Sequence, residues 1–383
     1  MTEEFSTDQV SRVLAELVRR ASPSGREGDV AGFIADWLRN EGFDVELLEV
    51  APGRPNVVAR LSQGRGGTLL LFGHTDTALA TDGWGTDPHV LHLRDGRALG
   101  LGAADMKGGL TAMMLALREL SRRDTWQGTV VMAAVVDEEA YSAGMKALLA
   151  SLSRPDWGLL GEPHFDEPVL GCPGKVLLRV QVHGRAAHAS TPWDGVNAIS
   201  DAAKLLTAIE ELPLPTHPQL GAGSQCVLTI RGGPDAYVIT VPERCEFVIN
   251  RHIVPGETGE RVVEDVLQTI TRLNLRAQVM VSIDGPYYPP YVVPETEPLV
   301  QAFTSVYREK IGMAPRFACG HGVCDANYLV ADAKVPTVVF GPRGGNLHSP
   351  DEWVDLTSVA QSAAVYVRMA EVLMPRSVTA ATE

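Results

Sequence analysis

Residues 68–72 read TLLLF, a short unbroken apolar run. A strand with one wet face alternates apolar and polar residues, so this run predicts a strand buried on both faces. Such a strand needs cover above and below it, which restricts the fold to a layered α/β arrangement. The same texture returns at 129–136 (TVVMAAVV) and 335–340 (VPTVVF). Elsewhere the period is helical. Val10, Val13, Leu14, Leu17 and Val18 share a face over 7–20, and Val30, Phe33, Ile34, Trp37 and Leu38 share another, which Gly42 ends. Strands are expected at 44–50, 55–62 and 68–73, with helices at 108–122 and 296–311.

The texture changes near residue 172. KVLLRVQVH at 175–183 alternates, as in a strand with one face in water. Helices at 195–211 and 257–273 and strands at 225–231, 244–252 and 276–283 complete an α+β segment. GPYYPPYVVP at 285–294 reads as a return linker. The chain of 383 residues is long for one core. The reading is one discontinuous domain, 1–172 plus 286–383, with 173–285 inserted, and no internal repeat.

The net charge of −14 argues against nucleic acid as a partner, because phosphate binding needs clustered Lys and Arg. No apolar stretch approaches the roughly 18 residues of a membrane span, and MTEEFSTDQV has no basic or apolar leader character. The five cysteines, Cys172, Cys226, Cys245, Cys319 and Cys324, form no CxxC pair, which suits free thiols in a reducing cytoplasm.

Acidic and histidine clusters follow the predicted strands. His74 and Asp76 lie just past TLLLF, and Asp105 sits in a glycine-rich turn, where it could equally cap a helix. Asp137, Glu138 and Glu139 follow TVVMAAVV. Adjacent carboxylates repel one another, and cations would explain their adjacency better than a solvated loop does. Glu162 follows Leu159-Leu160, and His348 lies beyond VPTVVF. In open α/β sheets ligands gather at the carboxyl ends of strands. Two His and several carboxylates without Cys suit zinc, manganese or cobalt better than an iron–sulfur centre.

Taken in order, GHTDT at 73–77, GAADMKGG at 102–109, DEE at 137–139, GEP at 161–163 and HSPDE at 348–352 resemble the M20 metallopeptidase family. That group includes acetylornithine deacetylase, succinyl-diaminopimelate desuccinylase, aminoacylase and glutamate-type carboxypeptidases. The resemblance implies a zinc-peptidase-like α/β catalytic domain with an inserted α+β lid through which a homodimer forms. It implies two Zn²⁺ (Co²⁺ or Mn²⁺ as substitutes) bridged by Asp105, one site completed by His74 and Glu162 and the other by Glu139 and His348. Asp76 would hold His74, and Glu138 would be the general base on a water between the metals. GRAAHASTP at 184–192 resembles the family's lid loop, in which His188 would help to bind the oxyanion of the partner's site. The implied activity is hydrolysis of the amide of an N-acyl amino acid. A dipeptidase or carboxypeptidase activity is the alternative, and a non-catalytic binding module keeping the fold is a third reading.

The substrate anchors depart from the family pattern. INRHIVPGE at 249–257 puts His252 where relatives carry a clamp arginine, and Arg251 falls on the opposite face of a strand. Ile239 stands where many deacylases have Asn, and 321–325 reads HGVCD in place of Gly-Gly-Thr-x-Asp. His for Arg is not conservative where two parallel hydrogen bonds are needed. His252, Arg251 and Arg343 are the candidate substrate contacts. The motif-free His89, His92, His164, His183 and His217 read as surface or packing residues.

Overall fold

A computed structural model describes residues 4–234, 236 and 238–376. The chain packs as two units: residues 1–170, 293–318 and 324–383 form the first, and residues 171–292 with 319–323 form the second. The expected junctions at 172/173 and 285/286 differ from these by a few residues. The short strand Tyr291–Val292, inside the presumed linker, pairs with Gly171 and Cys172 and so belongs to the second unit.

The first unit is α/β, as expected. Its sheet runs in the order Asp44–Ala51, Arg54–Gln63, Gly128–Val135, Thr68–His74, Trp157–Leu160, Thr337–Val339. Leu69, Leu70, Leu71 and Phe72 are fully buried, which is what the unbroken apolar run requires. Thr68–His74 is parallel to Gly128–Val135 and to Trp157–Leu160, which is parallel to Thr337–Val339. Four strands therefore end on one edge and direct their following loops to one place. Gly341 follows the last of them. A Cβ there would lie 2.1 Å from the Gly161 carbonyl, so glycine lets these two chain segments touch.

Helix Thr7–Val18 buries its expected stripe; Gly28–Asn40 buries Val30, Ile34 and Leu38 with Ala31 and Ala35, leaving Phe33 and Trp37 half-buried, and Gly42 adopts the left-handed conformation that ends it. Among the described residues three α-helices were not expected, Ala143–Ser151, Ala326–Ala331 and Leu356–Leu373, along with several short strands. A small antiparallel sheet, order Gly344–Gly345, Trp353–Asp355, Arg97–Leu99, His92–Arg94, ties the segment around His348 to the strand before Asp105.

The second unit is α+β. Its antiparallel sheet has the order Ser224–Gly232, Arg244–Ile253, Gly174–His183, Gln278–Ile283. Along Gly174–His183 every second residue is buried. Val176, Leu178, Val180 and Val182 pack with Leu205 and Ile209 of Ala198–Glu210 and Val262 and Val266 of Gly259–Leu273. Each such side chain contributes about 1.5–3 kcal/mol on burial. Among the described residues no helix is long and apolar enough to cross a membrane.

Candidate metal centre

His74 is the last residue of its parallel strand and is 1% exposed. Its Nδ1 lies 2.9 Å from the Asp76 carbonyl oxygen, an acceptor, so Nδ1 carries a proton and Nε2 is the ring atom turned toward the carboxylates. That Nε2 lies 3.1 Å from Asp105 Oδ1 and 3.4 Å from Glu162 Oε1. The other oxygen of Asp105, Oδ2, is 3.2 Å from His348 Nε2, which in turn is 2.7 Å from Glu139 Oε1. One carboxylate thus stands between two His–Glu pairs. The arrangement comes entirely from the first unit, and the five residues belong to five separate segments after strands or turns.

The donor set fits a divalent cation pair. Tetrahedral zinc with bonds near 2.0–2.1 Å keeps neighbouring ligand atoms about 3.3 Å apart. Three of the four His–carboxylate spacings here are of that size, His348–Glu139 being shorter at 2.7 Å, and donor atoms of His74, Asp105 and Glu139 lie within 4.8 Å of one another. The electrostatics point the same way. Burial works to raise Asp105, but hydrogen bonds to His348 and His74 outweigh it and hold this carboxyl well below the usual range. Its hydrogen bond to Asp105, then that to Glu139, pushes His348 up to about 10. Burial, then the Asp105 charge, pushes Glu162 up to about 7. Burial is also the main reason Glu138 lies well above the ordinary carboxyl range, with Glu162, Asp325 and Glu139 adding like charge. Four carboxyl groups face two imidazoles, a surplus of negative charge that buried sites otherwise relieve only by taking up protons.

Asp76 has a different geometry from the one the motif implied. Its carboxylate is 3.7 Å from His74 Nδ1, and the main-chain oxygen makes the imidazole hydrogen bond. The buried carboxylate instead accepts the Glu138 amide at 3.1 Å, the Glu139 amide at 3.0 Å and the Ser24 hydroxyl at 2.7 Å. It fixes the turn that carries both glutamates.

Three further residues belong to the neighbourhood. Glu352, 1% exposed, accepts hydrogen bonds from the amides of Gly102, Ala104 and Asp105 at 2.8, 2.8 and 3.0 Å. Burial pushes it up to about 7 even so. It lies within HSPDE, and its place four residues after His348 was the available signal. Asp325 is fully buried, is pushed up to about 7 by burial, and acts on Glu138. His164, read from sequence as packing, sits near enough for the Asp105 charge to oppose the burial that holds its imidazole below the usual range.

The other candidates make contacts of their own. His188 is exposed in the second unit, where its Nδ1 accepts the Ser190 amide at 3.2 Å and lies 2.7 Å from the Ser190 hydroxyl. His252 pairs in register with Lys175, and its Nδ1 is 3.2 Å from Ser224 Oγ. Burial, then Lys175, holds it below the usual imidazole range. Arg251 and Arg343 both have partners within the protein. Arg251 is 2% exposed on the helix-covered face and is bound to Glu257 at 2.6 Å. Arg343 grips Asp166 with Nε and Nη2 at 2.7 and 2.6 Å and reaches Asp355 at 3.1 Å. Each guanidinium binds a carboxylate of the protein.

The family model described as peptidase family M20/M25/M40 matches residues 70–372. Acetylornithine deacetylase of Proteus mirabilis is 30% identical over 347 residues, 85% of each chain. The solved structure of a tripeptidase from Staphylococcus aureus covers 96% of this chain and 98% of its own, with a TM-score of 0.82 at 22% identity. A dinuclear metal-binding peptidase of the M20 family from Bacillus subtilis covers 96% and 98%, with a TM-score of 0.75 at 15% identity.

Proposed function

From its membership of peptidase family M20/M25/M40, to which this chain belongs and which makes it a metal-dependent hydrolase of amide or peptide bonds, we propose a two-zinc deacylase that releases an amino acid from its N-acyl derivative. The observation that carries the reading is Asp105, whose two oxygens are divided between the His74–Glu162 and Glu139–His348 pairs. His74, Asp105 and Glu162 would hold one cation and Asp105, Glu139 and His348 the other. Zinc there supplies Lewis acidity toward a carbonyl oxygen and toward water, with cobalt or manganese as substitutes.

The protein's own residues do the rest. Glu138 is the general base: it takes a proton from the attacking water and returns it to the leaving nitrogen. Its burial favours that role, since burial holds this carboxyl well above the usual range and so strengthens it as a proton acceptor. Asp76 holds the Glu138 and Glu139 amides, so base and ligand move as one piece. Glu352 holds the turn of Asp105. His188 would contribute to oxyanion binding, and His252 would meet the substrate carboxylate in place of an arginine.

The likeness to acetylornithine deacetylase over most of the chain supports the deacylase reading. Fold likeness to a tripeptidase keeps peptides as the second class to test. We extend the proposal to a homodimer formed through the second unit, supported by the edge strand Ser224–Gly232 with its exposed Leu228 and Ile230. A cytoplasmic setting is supported by five free cysteines. The test is a hydrolysis screen of N-acetyl, N-succinyl and N-formyl amino acids beside di- and tripeptides, on protein of measured metal content. Turnover of an N-acyl amino acid above the peptides supports the proposal. Turnover of peptides alone would replace it, and inactivity with zinc or cobalt bound would refute both.

A further inference from the structure

We propose that Arg54, which belongs to no motif of the active site, is a positioning residue that holds the Glu138–Glu139 turn in its working geometry; this deepens the reading of Glu138 as base and rests on it. Arg54 opens the strand Arg54–Gln63, and its side chain is about four-fifths buried. Its guanidinium spans two carboxylates. Nε and Nη2 reach Glu27 at 2.7 and 2.6 Å, and Nη2 also reaches Asp137 Oδ1 at 2.5 Å. Glu27 is fully buried and Asp137 nearly so.

Asp137 is the first residue of the turn. It has a left-handed backbone, φ 72°. Its carbonyl accepts the amides of Tyr141 and Ser142 at 3.1 and 2.6 Å, and its Oδ2 accepts the Ala143 amide at 3.3 Å. A non-glycine residue held at positive φ needs its surroundings to fix it there. Arg54 is the charged group that binds the Asp137 carboxylate from outside the turn.

The contacts close into a ring. From Arg54 the ring passes to Glu27, whose Oε1 accepts the Gly25 amide at 2.9 Å. Neighbouring Ser24 donates to Asp76 at 2.7 Å, and Asp76 accepts the amides of Glu138 and Glu139. The turn is thus held on one side by Asp76 and on the other by Asp137, and Arg54 with Glu27 joins the two supports. The cation also separates Asp137 from full repulsion by its two neighbours, which a neutral strut could not do. The fork matters as well as the charge: lysine offers one compact ammonium and cannot bond Glu27 through two nitrogens while reaching Asp137.

The experiment uses full-length Arg54→Gln and Arg54→Lys, with apo-protein titrated with Co²⁺ followed by its visible spectrum, and kcat and KM measured at saturating metal. The expected result is a kcat at least about tenfold lower with KM changed less than about threefold, weaker binding of one Co²⁺ equivalent, and only partial recovery with lysine. A global loss of structure would instead change KM, both equivalents and the melting curve together. If Arg54→Gln does not fold, Glu27→Gln, which removes one side of the same fork, must give a smaller shift of the same pattern. A folded variant with kcat and both Co²⁺ affinities within twofold of the parent would overturn the assignment. The metal arm stands apart from the base reading: if Glu138→Gln kept its turnover while Arg54→Gln still weakened Co²⁺ binding, the base would be wrong and the strut right.

Discussion

Two places in the molecule treat buried charge in opposite ways. In the second unit Arg251 is matched inside the fold by Glu257, with Asp265 at 3.5 Å. At the strand ends of the first unit, the basic groups that meet Asp105, Glu138, Glu139 and Glu162 among the described residues are His74 and His348. Charge that is matched within the chain serves packing and local geometry. Charge left in surplus in a buried place has to be met by something that binds, which is why such clusters mark chemistry. Replacements in the two places should therefore fail differently: at the strand ends by lost cations or lost turnover, in the second unit by lost stability alone.

The largest effect falls on Asp105. Asp105→Asn keeps the shape and removes the charge shared by both His–Glu pairs. Stoichiometric metal should be lost from both places and hydrolysis should fall to background, as read by metal analysis after dialysis. Retention of two equivalents with measurable turnover would show that the surplus is not what holds the cations.

Next comes Glu138→Gln. Its carboxyl touches no metal in the proposed arrangement, so metal content should stay at two while kcat falls by about 10²–10⁴. The contrast with Asp105→Asn separates a group that binds from one that moves a proton. A smaller fall, within tenfold, would return the role of base to another of the carboxyls near the site.

Glu352→Gln sharpens the comparison one layer out. The carboxylate receives three amides; a carboxamide must turn one N–H toward a backbone N–H. Metal affinity should drop by about 10–100-fold, with kcat at saturating metal much less affected. Competition with a chelator of known affinity measures this.

Glu352 also shows where sequence reading runs out. Its donors lie about 250 residues earlier in the chain, and no local spacing announces which amides a buried carboxylate will collect. The same holds for Arg343, whose partners Asp166 and Asp355 leave no local pattern. By contrast the strand Thr68–His74 and the alternation of Gly174–His183 were legible, because burial on two faces or one dictates the residue pattern directly. The candidate positions His74 and Glu139 were legible for a related reason: they follow strands that are recognisable in themselves. Leu356–Leu373 was passed over because it is buried on most sides, from Val359 and Ala363 to Val365, Tyr366 and Val367, and so lacks a clear stripe. Trp157–Leu160 is only four residues long and carries no usable period. Arg251 was placed on the correct face by counting, yet only the fold reveals Glu257 as its partner.

The smallest effect on turnover, and the reverse of the first, belongs to Arg251. Arg251→Met leaves Glu257 buried without its cation, which should destabilise the protein by about 3–5 kcal/mol. The double variant Arg251→Met with Glu257→Gln removes both charges. Glutamine can still accept the Val254 amide that Glu257 accepts at 3.0 Å, so the turn after the strand keeps its bond. The wild-type pair is itself imperfect, since Arg251 Nε has no hydrogen-bond partner. Replacing such a pair whole is often neutral, whereas breaking it is not. The double variant should therefore recover more than half of the loss in a denaturant titration, and the folded fraction of both variants should keep kcat and metal content within twofold. A fall in kcat per folded molecule would place Arg251 back among the groups that meet substrate, and the division between matched and surplus charge would no longer separate packing from chemistry.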